Sequence, residues 1–127
     1  MSRISRRGFL TAGAIITASA PYSPFLQAAP KRKLGVALLG LGGYSRGQLA
    51  PALQLTQHCE LRGLITGSPN KIPQWKKKYA IEDKNIYSYA SMSELGKNKD
   101  IDVVYVVTPT ATHLKFAILA AQAGKHV

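Results

Sequence analysis

A glycine-rich turn is the part of this sequence whose residue types and spacing are best suited to chemistry. An apolar run over residues 34–39 leads directly into Gly40, Gly42, Gly43, Tyr44 and Ser45. Gly40 permits a tight turn, Gly42 lets the backbone approach a pyrophosphate, and the small Ser45 lets the next helix pack against the strand. The first N–H groups of that helix supply hydrogen bonds and partial positive charge to phosphate oxygens. We therefore predict a dinucleotide-binding turn, although a Gly-x-Gly pair with serine in place of the third glycine also occurs in ordinary turns.

The residues after a second predicted strand bear on the choice of nucleotide. Strand 60–65 is followed by Thr66, Gly67, Ser68 and Lys71. An NAD site usually has Asp or Glu at the end of this strand, where the carboxylate hydrogen-bonds the ribose 2′-hydroxyl and would repel a 2′-phosphate. Hydroxyl donors and a cation suit a phosphate dianion instead, so the sequence favours NADP over NAD. The alternative is a plain Gly-Ser-Pro turn with an exposed lysine.

A third polar group lies where the last predicted strand meets a helix. It consists of Thr108, Pro109, Thr110 and His113. Open parallel sheets bind ligands beyond the carboxyl ends of their strands, so we predict that this group contacts the cofactor. His113 could instead be a histidine on the helix surface.

The elements that must position these groups alternate along the chain. Apolar runs and turn signals predict strands at 34–39, 60–65, 85–87 and 102–107, and helices at 45–56, 72–79, 91–96 and 110–123. This alternation requires a parallel sheet with right-handed crossovers. We predict an α/β fold with a Rossmann-type, doubly wound parallel sheet that is truncated before its last strands. Because the chain stops where a new strand should begin, we expect the front part of a longer protein.

Two expectations concern the packing of the last elements. The strand at 102–107 is rich in β-branched residues and should be buried on both faces, as in a parallel sheet. The helix at 110–123 should turn Leu114, Ile118 and Ala121 inward. Both follow from apolar patterning alone.

Local signals give further expectations. Ser91 is predicted to cap a short helix, with Glu94 completing a capping box. Tyr87 and Tyr89 either line the ligand cleft or pack in the core as strand aromatics. Cys59 is the single cysteine, so the chain has no internal disulfide, and its apolar context predicts a small core residue. No spacing of cysteine and histidine predicts a metal site.

The start of the chain is typical of an export signal. Arg6 and Arg7 precede a short apolar run of small residues at 11–20, which is shorter than the roughly 20 residues of a membrane span. We predict a Tat-type signal peptide and tether over residues 1–29 and an incomplete NAD(P)-binding Rossmann domain over 30–127. The protein would then be periplasmic, with the Tat machinery as an export partner. The alternatives are a chance basic start and an uncleaved anchor.

The net charge of +11 raises the question of nucleic-acid binding. Loss of the three arginines of the leader would still leave about +8. Apart from the clusters at 31–33 and 76–78 the lysines are dispersed, and no interleaving of aromatic residues with the lysines and no nucleic-acid-binding motif accompanies them. We therefore expect no nucleic-acid partner and interpret the charge as solvated faces and as attraction for an anionic cofactor.

Four patches of the chain together resemble the Gfo/Idh/MocA oxidoreductases, most closely their glucose-fructose oxidoreductase branch. They are residues 40–45, 65–71, 85–89 and 102–113, the last running on to 123–127. The resemblance covers everything from about Lys33 onward. It implies that the complete protein transfers hydride between a nicotinamide and a sugar or polyol carbon, holds its cofactor tightly and forms a homo-oligomer. In the branch it resembles, a Ser/Thr-Gly pair with a lysine soon after binds the 2′-phosphate.

The chain also departs from the family pattern. The family usually has Asn where this chain has Thr110, which puts one hydrogen bond to the cofactor in doubt. The Gly-Lys-His-Val of the family is normally followed by Glu-Lys-Pro, whose lysine helps catalysis, and later by a Tyr/His pair and a C-terminal α+β domain. None of these lies in the 127 residues, so we assign no catalytic residue and leave enzymatic activity open. The alternative function is a stand-alone nucleotide-binding module without turnover.

Overall fold

Strands and helices alternate along residues 31–127, the part of the chain that the computed structural model describes. The strands are β1 (Leu34–Leu39), β2 (Cys59–Ile65), β3 (Ile86–Tyr87) and β4 (Val103–Val106), and the helices are α1 (Ala50–Leu55), α2 (Ile72–Tyr79) and α3 (His113–Gln122). A π-helical turn covers Ser45–Leu49, and 3₁₀ turns cover Pro69–Lys71, Asp83–Asn85, Met92–Lys97 and Thr110–Thr112. The predicted strands and helices are thereby confirmed, except that the short helix predicted at 91–96 is a 3₁₀ turn. The predicted export signal lies outside the described residues and stays a prediction, as does the domain boundary beside it.

The four strands form one parallel sheet in the order β3-β2-β1-β4. Leu39 at the end of the central strand β1 is opposed by Ile65 on one side and by Val106 on the other. After α3 the chain returns to the sheet, where His126 pairs in parallel with Val103. This order, with a crossover between β3 and β4, confirms the doubly wound Rossmann-type prediction. No helix in residues 31–127 is long and apolar enough to cross a membrane.

Apolar side chains cover both faces of the sheet. One core joins alternate residues of the strands to α3 and the 3₁₀ turn before β4, and includes Ala37, Leu39, Val104, Phe116 and Ala120. The other joins the opposite strand faces to α1 and α2, and includes Leu38, Ala50, Leu64 and Trp75. Because a strand turns successive side chains to opposite faces, the buried run of β1 supplies both cores.

The predicted inward face of α3 is wrong. Leu114 and Ile118 are 74% and 47% exposed, whereas Phe116 and Ala120 are buried. The helix is apolar on most of its circumference, so two stripes of period 3.6 fit its sequence equally well. The stripe that faces the sheet is the one carrying the large Phe116 ring, which packs on Tyr89 with 4.7 Å between ring centroids.

The expectation that β4 is buried on both faces is also wrong. Val104 is fully buried, but Tyr105 is 45% exposed. Within the described residues β4 has β1 along one side and, along the other, only the bridge to His126. A strand in this position is shielded on the face that α3 covers and exposed on the opposite face.

The prediction of a capping box at Ser91 is wrong as well. The 3₁₀ turn after Ser91 has no side-chain cap. The Ser91 hydroxyl instead accepts a hydrogen bond from the Ser88 N–H at 3.0 Å, so the two serines close their own turn. Serine side chains compete in this way whenever a nearby backbone group is closer than the helix N–H. Cys59, predicted as a core residue, is half-buried.

The helix after the glycine turn begins with an unusually wide turn. The Ala50 N–H donates to the carbonyl of Ser45, five residues earlier. Pro51 explains this, because it has no N–H to donate and its ring would clash with the carbonyl four residues before it in a regular α-helix. The π-helical turn relieves the clash, and such turns are often found at functional sites.

Asp102 ties the starts of β1 and β4 together. Its carboxylate accepts hydrogen bonds from the Gly35 N–H at 2.7 Å and from the Arg32 guanidinium at 2.6 Å. Burial of the carboxyl would raise its pKa, but the hydrogen bonds from Arg32 and Gly35 outweigh burial and hold the pKa below the ordinary value of 3.8. The charged form is therefore stabilised by the folded state.

Replacement of Asp102 with Asn is expected to lower the free energy of unfolding at pH 7 by about 1 kcal/mol, since a hydrogen-bonded charge is lost. With a lowered pKa, the stabilisation from the wild-type carboxylate is complete above pH 3.8 and disappears as the pH falls through the folded pKa. The two proteins should thus converge in acid, which urea unfolding at pH 7 and pH 3 measures. Asp83→Asn is the control, because Asp83 is an exposed partner of Lys76. A constant difference at both pH values would contradict the prediction.

Candidate cofactor site

The carboxyl ends of three strands meet at one edge of the sheet. The Gly40 N–H donates to the carbonyl of Ile65 at 2.9 Å, and the Val107 N–H donates to the carbonyl of Leu39 at 2.8 Å. The three polar groups singled out in the sequence follow these strand ends directly. The structure therefore brings them to the same edge, beside the point where the strand order reverses between β1 and β4, which is where open α/β sheets bind ligands.

The first half of the glycine turn, at Gly40, packs tightly against the end of β4. Gly40 has a φ of +103°, and a Cβ placed on it would lie 2.8 Å from the Val107 carbonyl oxygen and 3.3 Å from Cγ2 of Thr108. Only glycine fits this combination of backbone angle and space. Ser45 is fully buried, and its hydroxyl donates to the Gly40 carbonyl at 2.5 Å. Ser45 thus fills the third glycine position and fixes the helix against the strand.

The second half of the turn is open. A Cβ placed on Gly42 or Gly43 would meet no atom within 4 Å, and Tyr44 is 58% exposed. The space above these two glycines lies at the start of the π-helical turn, where backbone N–H groups lack helical acceptors. The backbone here is open, as the approach of a pyrophosphate to Gly42 would require.

The turn after β2 is organised by Thr66. This residue is buried, and its hydroxyl oxygen accepts a hydrogen bond from the Ser68 N–H at 3.0 Å. Gly67 passes under the Tyr89 ring, since a Cβ placed on it would lie 2.7 Å from Tyr89 Cε2. Thr66 therefore shapes the turn, and the adjacent half-buried Ser68 carries the hydroxyl at its rim.

The two tyrosines proposed for the cleft or the core have different surroundings. Tyr87 belongs to the core, and its hydroxyl accepts a hydrogen bond from Asn98 Nδ2 at 2.8 Å. Tyr89 is partly buried and lies between Gly67 and Phe116. Core packing thus accounts for Tyr87, whereas Tyr89 supports the turn after β2.

Lys71 reaches back from the 3₁₀ turn before α2 to the glycine turn. Its Nζ donates to the Leu41 carbonyl at 3.2 Å. Between the two turns lies a cavity of about 290 Å³, lined by Leu41, Gly42, Gly43, Arg46, Lys71, Gln74 and Trp75. These residues include two cations and no carboxylate. Sequence reasoning missed Arg46, Gln74 and Trp75; the spacing of 71, 74 and 75 on one helical face was the available signal.

The turn after β4 is held by its own side chains. His113 Nε2 donates to the Thr108 carbonyl at 2.7 Å, and the Thr112 hydroxyl donates to the Pro109 carbonyl at 2.7 Å. Thr108 contacts the glycine turn, whereas Pro109, Thr110 and His113 are exposed. In its neutral form the His113 ring then keeps Nδ1 free of hydrogen and able to accept a bond from a ligand.

A larger polar cavity lies at the opposite edge of the sheet and differs in charge. It measures about 420 Å³ and its walls include Glu60, Arg62, Glu82, Lys84 and Asp100. Lys84 Nζ lies 2.7 Å from the Asp100 carboxylate, and this hydrogen bond lowers the Asp100 pKa. The charges here are already paired with one another. Within the described residues no three His, Cys, Asp or Glu side chains cluster as a metal site.

The fold and the glycine turn define a nicotinamide-dinucleotide-binding Rossmann region. Residues 34–127 match the model of the oxidoreductase family with an NAD-binding Rossmann fold known as Gfo/Idh/MocA, and the chain belongs to this family. The resemblance seen in the sequence is confirmed.

Solved structures show the same relationship. An aldose-aldose oxidoreductase from Caulobacter crescentus, solved with glycerol, is 41% identical with a TM-score of 0.74 over 76% of this chain and 29% of that one. A scyllo-inositol dehydrogenase from Lactobacillus casei with bound NAD(H) and scyllo-inositol is 25% identical, with a TM-score of 0.63 over 76% and 27% of the two chains. A 3-ketoreductase from Actinomadura kijaniata with TDP-benzene and NADP, 23% identical with a TM-score of 0.65 over 76% and 29%, shares the fold. The chain thus spans less than a third of the length of these proteins.

Proposed function

We propose that this chain is the NADP-binding region of an exported oxidoreductase that transfers hydride between the nicotinamide and a carbon of a sugar or polyol. The observation that carries the NADP assignment is the cavity shared by Lys71 and the glycine turn, whose lining contains no carboxylate. A carboxylate at the end of β2 would repel a 2′-phosphate, and this chain has Thr66 at that position. The relatives include complexes with NADP and with NAD(H), so the choice rests on these residues.

Each group of residues has a role in this proposal. Gly42 and Gly43 receive the pyrophosphate on open backbone, while Gly40 and Ser45 hold the turn in shape. Ser68 and Lys71 bind the 2′-phosphate. The residues Thr108, Pro109, Thr110 and His113 lie beside the nicotinamide half, where His113 can accept a hydrogen bond at Nδ1. The bound nicotinamide supplies the hydride chemistry, and the protein supplies orientation and electrostatics.

The substrate class rests on the relatives. The 41% identical relative is an aldose-aldose oxidoreductase, and another was solved with scyllo-inositol. A sugar or polyol carbon is therefore the proposed reaction centre of the complete protein, which we also propose to be a homo-oligomer.

The test is a fluorescence titration of the intact protein with NADPH and NADH, followed by an assay of cofactor oxidation with aldoses and polyols. Tighter binding of NADPH with turnover supports both the NADP assignment and the proposed reaction. Tighter NADPH binding without turnover of any sugar or polyol would favour the nucleotide-binding module, and tighter NADH binding would overturn the NADP assignment.

Export is proposed from the sequence of residues 1–29. Replacing Arg6 and Arg7 together with lysine should trap the precursor in the cytoplasm, because the Tat route is defined by its arginine pair. Cell fractionation and immunoblotting measure the distribution. A matched replacement of Lys31 and Lys33 with arginine, beyond the leader, should leave export unchanged. Normal export of the Arg6 and Arg7 variant would point to another route.

A further inference from the structure

We infer that Arg46 is a second cation of the 2′-phosphate subsite and a determinant of selectivity for NADP over NAD, an inference that rests on the proposed function. Arg46 belongs to the π-helical turn that follows the glycines, and it lines the same cavity as Lys71. The sequence patterns that identified the dinucleotide site do not include it.

The backbone around Arg46 is fixed from two sides. Its N–H donates to the Gly42 carbonyl at 3.1 Å. Ser45, the preceding residue, is fully buried and bonded to Gly40. Because Ser45 points into the domain, the helix cannot rotate about its axis, and the Arg46 side chain leaves the helix beside the open glycines.

The cavity carries a net positive charge that an anionic ligand would neutralise. Arg46 and Lys71 approach from different elements, and no carboxylate lines the cavity between them. Some other cations of the domain are paired with carboxylates at close range, namely Arg32 with Asp102, Arg62 with Glu60 and Lys84 with Asp100. Among residues 31–127 no ion pair joins Arg46 or Lys71 to a carboxylate. Two positive charges that face one cavity repel each other. A phosphate dianion placed between them attracts both, so its binding turns a repulsive arrangement into an attractive one.

The shapes of the groups suit a phosphate. The guanidinium of Arg46 offers a planar fork that can bind two phosphate oxygens at once, whereas Lys71 acts as a point charge already anchored on the Leu41 carbonyl. Gln74 adds an amide to the lining, and the buried Trp75 supplies an apolar wall. An apolar wall excludes water on one side and strengthens the charge interaction.

The alternative role for Arg46 is stacking on the adenine ring. The two roles separate cleanly by experiment. Stacking would contribute equally to nucleotides with and without a 2′-phosphate, whereas the proposed contact acts only on those that carry it.

The experiment is calorimetric titration of the intact protein with 2′,5′-ADP and with 5′-AMP, which differ only in the 2′-phosphate. Arg46→Gln is expected to weaken 2′,5′-ADP binding about tenfold, in keeping with loss of one charge-assisted contact, and to change 5′-AMP binding less than twofold. Arg46→Lys should recover part of the loss, since it restores the charge without the fork. Lys77→Gln removes the same charge from an exposed position of α2 that does not line the cavity, and should change neither affinity.

The outcomes distinguish this inference from the proposed function. If wild-type protein shows no preference for 2′,5′-ADP, the NADP assignment itself fails. If the wild type prefers 2′,5′-ADP and Lys71→Gln abolishes the preference while Arg46→Gln keeps it, only the role of Arg46 is overturned. Equal losses for both nucleotides in Arg46→Gln would also overturn it, in favour of stacking or a structural role.

Discussion

Replacement of Lys71 with Glu is expected to weaken NADPH binding about 100-fold, because a charge-assisted hydrogen bond is lost and a repulsive charge takes its place. NADH has no 2′-phosphate, and its affinity should change by no more than about threefold. The cavity between Lys71 and the glycine turn has no acidic lining in the wild type, so the variant introduces the first negative charge there. Fluorescence titration with both cofactors measures the ratio of the two dissociation constants.

Lys77→Glu is the matched control for this charge reversal. Lys77 lies on the exposed side of α2 and does not line the cavity. The control changes the net charge of the protein by the same amount, so it reports any long-range effect on an anionic ligand, which is expected to be small at physiological salt. Equal weakening of NADPH and NADH by Lys71→Glu would contradict a role in binding the 2′-phosphate.

The fold was predictable from the sequence because its signals are local and repeated. Periods of two and of 3.6 residues alternate along the chain, and a parallel sheet is the architecture that accommodates this alternation. The position of Gly40 was informative for the same reason, since its left-handed φ is required by the strand-to-helix turn itself. The convergence of the turns after β1, β2 and β4 then follows from the parallel order of the strands.

Features that depend on the packing of separate elements were not predictable in this way. The α3 sequence offers two apolar stripes, and the choice between them depends on how the Phe116 ring fits against Tyr89. The capping box failed because Ser88, which the capping pattern does not include, competes for the Ser91 hydroxyl. Arg46 becomes part of the site only when α2 is placed beside the π-helical turn, and a single sequence does not specify that placement.

Substitutions of Gly40 and Gly42 are expected to have different effects: the first on protein stability and the second on cofactor binding. Gly40→Ala should lower the free energy of unfolding by about 2–5 kcal/mol, because a Cβ is forced into a left-handed conformation and against a carbonyl oxygen. The contact concerned is the 2.8 Å approach to the Val107 carbonyl at a φ of +103°. Thermal unfolding should then occur at least about 10 °C below the wild type.

Gly42→Ala should leave stability unchanged and weaken NADPH binding. Its Cβ would meet no protein atom within 4 Å, and its backbone does not require a positive φ, so stability should stay within about 0.5 kcal/mol of the wild type. The added methyl group would occupy the space into which a pyrophosphate must come, and NADPH affinity should fall at least about tenfold. Differential scanning fluorimetry with and without NADPH measures both effects in one experiment: Gly42→Ala should melt like the wild type without ligand and lose the ligand-induced shift. A stable Gly42→Ala protein with an unchanged shift would mean that the pyrophosphate does not approach this backbone, and the assignment of the turn would be wrong.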